Sequence, residues 1–131
     1  MIDLALLEAN DGVLTLPAGL PGFDAVRELR VSAMRGTPFS RLTSTDARSP
    51  FALIVVPAAL LAHDLDTDRA IDAHPDRPRS AAVRCIVTPD ATSPTVNLLG
   101  PLVVDRDTGA TFQVALALPR HSTRSPLALR G

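Results

Sequence analysis

Apolar and polar residues alternate along several short stretches of this chain, and proline, glycine and Asn-Asp clusters separate the stretches. A period of two is the mark of a strand with one buried face. Ile2 to Glu8 puts Ile2, Leu4 and Leu6 on one side. Asn10-Asp11-Gly12 is a strong hairpin signal, and Gly12 to Leu16 reads as the returning strand. Glu28 to Ala33 turns Leu29 and Val31 inward, and Phe39 to Ser44 reads as the next strand. Phe51 to Val56 is apolar at every position, which predicts a strand buried on both faces. Ala81 to Thr88 sets Val83, Cys85 and Val87 on one face. Thr95 to Asp105 predicts a long strand with a bulge or bend at Gly100-Pro101. Asp105 to Gly109 is a hairpin turn with glycine at the left-handed position, and Ala110 to Leu118 returns with Phe112, Val114, Leu116 and Leu118 together. Asp24–Arg27 reads as one helical turn, Pro57–Ala62 as a single turn of helix or 3₁₀, and Asp68–Ala73 as a short helix. The pattern predicts an all-β fold: a small barrel-like, strongly bent antiparallel sheet with one or two short helical turns. Residues 1–120 are expected to form the single domain, and the Arg-, Ser- and Pro-rich residues 121–131 a partly mobile C-terminal tail.

The stretch Leu16-Pro17-Ala18-Gly19-Leu20-Pro21-Gly22-Phe23 interrupts the alternation with two prolines and two glycines. Proline fixes φ and glycine accepts positive φ, so consecutive tight turns are expected here. Leu20 and Phe23 are bulky apolar residues inside this turn sequence. A fixed corner tucked onto the core explains them; so does a rigid knuckle offered to a partner.

Composition narrows the possible functions. The formal net charge is −1, and the aromatics are four Phe without Trp or Tyr. Neither the electrostatic footprint nor the stacking platform of a nucleic-acid binder is present. No apolar run approaches the roughly 20 residues that span a bilayer, and the start lacks the basic region of a secretory signal. One cysteine cannot form an internal disulfide, which fits a reducing cytoplasm.

Candidate chemistry is sparse. Asp64, Asp66, Asp68, Asp72 and Asp76 form an acidic block around Arg69, on what reads as an insertion or lid. The first three have the opening rhythm of a calcium loop, but Arg69 and Pro75 stand where that loop needs Gly and Glu. A solvated acidic face is the better reading. His63 and His74 lack paired ligand spacing and read as surface histidines. Cys85 reads as a buried inert thiol; a nucleophile would need a base such as His121. Asn97, alone among apolar neighbours, reads as a structural tie to loop backbone, with the Gly19–Phe23 knuckle one possible target. Arg124 reads as a surface charge or a clamp on the tail. No catalytic, cofactor or metal site is expected.

Three separated segments resemble the flagellar assembly factor FliW family: Leu16–Phe23, Thr95-Val96-Asn97-Leu98-Leu99-Gly100-Pro101-Leu102-Val103-Val104, and His121-Ser122-Thr123-Arg124-Ser125-Pro126-Leu127. The resemblance implies a compact β-barrel-like monomer in the bacterial cytoplasm that is not an enzyme. It implies two protein partners, flagellin and the translational repressor CsrA, which compete, so that the free protein relieves repression of flagellin translation allosterically. It implies no direct contact with nucleic acid or membrane. Leu20, Phe23, Asp64, Asp66, Asp68 and Arg124 are the candidate partner-binding residues; Gly19, Pro21, Gly22, Asn97, Gly100 and Pro101 are the candidate structural motif. The alternatives are a ligand-binding or hydrolytic barrel using Cys85 and His121, and a divergent family copy with another partner.

Overall fold

The computed structural model describes residues 12–130. The expected strand Ile2 to Glu8 and the Asn10-Asp11 half of its turn lie outside the described residues. Among the described residues nine strands form one antiparallel sheet: β1 (Val13–Thr15), β2 (Glu28–Ala33), β3 (Ser40–Ser44), β4 (Ala52–Pro57), β5 (Ala81–Thr88), β6 (Thr95–Val96), β7 (Leu102–Asp105), β8 (Thr111–Gln113) and β9 (Ser125–Pro126). Their order is β1-β2-β3-β4-β5-β6-β9, and β7 pairs with both β5 and β8. The wall curls until Thr15 meets Ala110 in a parallel bridge, with Thr15 N–H donating to the Gly109 carbonyl at 3.0 Å. This nearly closed barrel is the expected architecture.

Local chemistry explains the joints. β5 is antiparallel to β6 at Val87–Thr88 and to β7 at Ala81–Arg84, so β6 and β7 are one strand interrupted by residues 97–101. The interruption falls on the Gly100-Pro101 pair expected to bend it. Gly109 sits at φ +80 and closes the β7–β8 hairpin, its N–H donating to the Asp105 carbonyl at 2.7 Å. Ala58–Leu60 is a single 3₁₀ turn, and Thr67–Ala73 is the one α-helix among the described residues, α1. Asp66 caps α1, its side chain accepting from Arg69 N–H at 3.1 Å. Asp24–Arg27, expected as a helical turn, is instead non-helical turn, with Val26 N–H donating to the Phe23 carbonyl.

The sheet has an apolar cluster on each face. The first holds Leu14, Leu16, Leu29, Val31, Leu42 and Val55. The second holds Val56, Leu61, Val83, Cys85, Leu98 and Val114. β4 alternates between them: Leu53 and Val55 face the first, Ile54 and Val56 the second. Burial on both faces, expected along Phe51–Val56, is complete only at Val55 and Val56; Ala52 is exposed, and Phe51, Leu53 and Ile54 are half-buried. The strand most continuously buried is β5, from Ala82 through Cys85.

Segment 121–130, expected as a tail, is part of the sheet and seals the second face. β9 pairs with β6, Leu98 N–H donates to the Ser122 carbonyl at 3.1 Å, and Leu127 N–H to the Pro94 carbonyl at 3.0 Å. Further on, Ala62 N–H donates to Ala128 and Arg130 N–H to Leu60, both at 2.8 Å.

Candidate functional site

The knuckle is two consecutive turns. Gly19 N–H donates to the Leu16 carbonyl at 3.0 Å, closing Leu16-Pro17-Ala18-Gly19. Phe23 N–H donates to the Leu20 carbonyl at 2.8 Å, closing Leu20-Pro21-Gly22-Phe23. Gly22 at φ +82 behind Pro21 is the residue order of a type II turn. Gly19 is required twice over: its φ is +67, and an added Cβ would lie 2.7 Å from the Asp24 carbonyl oxygen. The Arg27 guanidinium also donates to that carbonyl, bracing the far side of the loop. Leu20 is 4% exposed and belongs to the first cluster, so as a partner-binding candidate it is corrected: it anchors the knuckle. Phe23 is 44% exposed and lies against Phe51, ring centroids 4.4 Å apart. It is the large apolar side chain that the knuckle exposes, beside the exposed Pro17, Ala18, Pro21 and Gly22.

A second turn faces the first. Asn97 Oδ1 accepts from Leu99 N–H and from Gly100 N–H, both at 2.9 Å. The structural tie therefore exists, but it holds its own turn and not the knuckle, and Asn97 is half-buried. An Asn side chain reaches backbone two and three residues ahead more easily than a distant loop. Gln113 Nε2 donates to the Gly100 carbonyl at 2.9 Å. A Cβ at residue 100 would meet that nitrogen at 2.8 Å, so glycine is what lets the two carboxamides close over the turn. Between knuckle and turn, Pro21, Asn97, Leu99, Gln113, Ala115 and Thr123 line a cleft of about 250 Å³.

The acidic block does not act as one patch. Asp66 is committed to capping α1. Asp72 pairs with Arg77 Nε at 2.7 Å, a cation just beyond the block's last acid. Asp64 and Asp68 are exposed. His121 Nε2 lies 3.2 Å from the Asp64 carbonyl oxygen and His63 Nε2 2.8 Å from that of Pro126, so both rings donate across the seam between residues 63–64 and the C-terminal segment. His74 is not a surface histidine: it is 2% exposed. Its Nδ1 accepts from Asp76 N–H at 3.0 Å, and its ring stands edge-on to Phe112 at 4.7 Å. Satisfying the ring through backbone is what permits its burial.

Cys85 is fully buried, and burial pushes its thiol up to about 12, against a smaller opposing pull from Arg84. At neutral pH that sulfur stays protonated and is no nucleophile. The ring of His121 is bound to the Asp64 carbonyl. Among the described residues no group of three or more His, Cys, Asp or Glu side chains is arranged to hold a metal ion. Arg124 is exposed, with its N–H on Ser122 Oγ at 2.9 Å. Asp90 is held below the usual carboxylate range first by Thr92 N–H, then by the Thr92 hydroxyl and Ser93 N–H, with a minor attraction from Arg124.

A sequence profile of the family described as FliW protein matches residues 5–127. The "Flagellar assembly factor FliW" of Natranaerobius thermophilus is 31% identical over 134 residues, covering 92% of this chain and 85% of that protein. The chain belongs to the FliW family. A crystal structure of the flagellar assembly factor FliW superposes with a TM-score of 0.69 at 21% identity, over 88% of this chain and 84% of the other, and shows the same fold. The three segments that carry the FliW resemblance all reach the cleft: Pro21 from the first, Asn97, Leu99 and Gly100 from the second, Thr123 from the third. The sequence motifs did not reveal that convergence, because the segments meet only through sheet pairing: β9 pairs with β6, and the knuckle follows the Thr15–Ala110 bridge. Gln113 and Ala115 were missed as site residues, since inside an apolar alternation they read as the outward face.

Proposed function

We propose that this chain is a non-enzymatic, monomeric flagellar assembly factor of the cytoplasm. It binds flagellin and CsrA in competition, so that free protein relieves CsrA repression of flagellin translation. The observation that carries the reading is family membership across nearly the whole chain: the profile match over residues 5–127, with a curated flagellar assembly factor 31% identical over 92% of the chain. Full burial of Cys85 and the hydrogen bond of the His121 ring to the Asp64 carbonyl weigh against the hydrolytic alternative. Among the described residues, no helix is long and apolar enough to cross a membrane.

Phe23 and the exposed carboxylates Asp64 and Asp68 are the surface groups that support protein docking. Exposed charges of this kind act on association rate more than on residence time. Size-exclusion chromatography tests the reading. The purified chain should co-elute with CsrA, and added flagellin should displace CsrA from it. Failure of the chain to co-elute with either protein would refute the reading.

A further inference from the structure

The cover over the second face runs out in the middle of the sheet. Ser32, Arg41, Ile54, Val87 and Val96 stand opposite one another across β2 to β6 and so share that face. Val96 and Val87 are buried, Ile54 is half-buried, and Arg41 and Ser32 are exposed. Burial is therefore lost at Ile54. That side chain borders two adjoining hollows. One, of about 220 Å³, reaches Met34, Phe39, Pro94 and Leu127. The other, of about 310 Å³, reaches Ala52, Ile86 and Thr88. Val87 and Pro89 line both, so the two form one trough with mostly apolar walls. A continuous apolar surface left in a trough marks an interaction site.

The flank of the trough on β3 is cationic. Arg41 lines it. Arg30 pairs with Thr43, and Arg41 with Ser32, so the two arginines are diagonal neighbours on one face, about 7–8 Å apart by strand geometry. Both are exposed, and neither has an ion-pair partner among the described residues. Glu28, the acid on the same face of β2, accepts from the Thr45 hydroxyl at 3.1 Å. On the opposite flank Asp90 spends Oδ1 on its own loop, accepting from Thr92 N–H, the Thr92 hydroxyl and Ser93 N–H at 2.9, 3.0 and 3.2 Å.

We propose that the trough beside Ile54 is the docking site for an acidic amphipathic helix of flagellin, whose apolar stripe fills the two hollows while its carboxylates meet Arg41 and Arg30. The charge decides the partner. A translational repressor meets RNA through a cationic face, which the two arginines would repel, whereas they attract an acidic segment. The layout decides the shape. The cations stand beside the trough and on the same face as it, so the occupant must present apolar and acidic groups side by side. A helix does this with its stripe and flank, while an extended strand sends successive side chains to opposite sides. Apolar anchors one turn apart in two neighbouring hollows are how a helix seats in a groove. The inference rests on the proposed function for flagellin as a partner.

Methyl NMR on the full chain tests it, with flagellin as the probe and a soluble paramagnetic agent present. In the isolated chain the agent should broaden the methyl signals of Met34 and Ile54, because the trough is open. Added flagellin should remove that broadening. Arg41→Glu should weaken flagellin about tenfold or more at low salt, while Arg41→Lys should bind within about twofold of the parent. Signals that stay sharp in the isolated chain would mean that residues 1–11 or a second copy already fill the trough, and would overturn the inference. Shielding by CsrA in place of flagellin would overturn it too. Flagellin that binds with both methyls still broadened, or binds Arg41→Glu and the parent equally, overturns the docking site and leaves the proposed function standing. Flagellin that does not bind overturns both.

Discussion

The two faces of the sheet are filled by different means. The first is lined by Leu14, Leu29, Val31 and Leu42, from neighbouring strands whose alternation is plain in the chain, and the knuckle closes it with Leu16, Leu20 and Val26. The second takes little from β1–β3. Its cover is the 3₁₀ turn, α1 and the segment that follows β8, delivering Ala58, Leu61, Ala70, Val114 and Leu116. The first face is thus lined mainly by neighbouring strands, with Ala82, Leu102 and Val104 added from β5 and β7, and the second is covered by non-strand segments, two set between β4 and β5 and one following β8. A cover of that kind requires its polar groups to be tied down, and three histidines help: His63 and His121 by donating to backbone carbonyls, His74 by accepting from Asp76 N–H. Burial of apolar surface drives both faces, but the second also depends on satisfied polar groups.

Truncating one fully buried leucine on each side would sharpen or break this contrast. Leu42→Ala on the first face and Leu98→Ala on the second should each cost about 2–5 kcal/mol by urea denaturation, because both side chains are 0% exposed. A cost for Leu98→Ala below about 1 kcal/mol would mean that the second cover collapses easily and is no true core. The Asn97 turn lies where that cover meets the strand interruption. Asn97→Leu strands the N–H groups of Leu99 and Gly100 and should lower stability by about 1–3 kcal/mol, seen as a shifted midpoint. An unchanged midpoint would remove the turn from the account.

The legible parts of this fold share a cause. The Pro-Gly turns at 16–23, the Gly109 hairpin and the Gly100-Pro101 interruption are dictated by residues that restrict or free their own backbone, so they can be read locally. The alternation of Glu28–Ala33 and Ser40–Ser44 is local too. What could not be read depends on contacts that only the folded chain makes. Leu20 looked presentable until the knuckle folded inward. His74 looked solvated because nothing nearby in the chain announces Phe112 or the Ala110 backbone. The acidic block looked uniform because Arg77 falls just outside it and the cap role of Asp66 needs α1 to exist. The cleft, assembled from several separate segments, was illegible for the same reason.

The smallest expected effect at neutral pH concerns Cys85, within the second cluster. The folded thiol keeps its proton up to about pH 12, whereas the unfolded one ionises near its ordinary value of 9.0. Between those values the unfolded state binds fewer protons, so the Cys85 contribution to stability should be flat below pH 9 and fall as pH rises toward 12. Cys85→Ala should flatten the alkaline slope. In the folded chain at pH 8 the thiol should resist iodoacetamide until denaturant is added.

The central structural claim is that residues 121–130 are an integral part of the fold and seal the second face. Amide exchange of the isolated chain measures it directly. The N–H groups of Leu98, Leu127 and Arg130 donate to Ser122, Pro94 and Leu60, across the seam between that segment and the rest. Leu98 and Leu127 should exchange orders of magnitude more slowly than in an unstructured peptide, with Arg130 less protected near the terminus. Exchange of Leu98 and Leu127 at unstructured-peptide rates would contradict the claim.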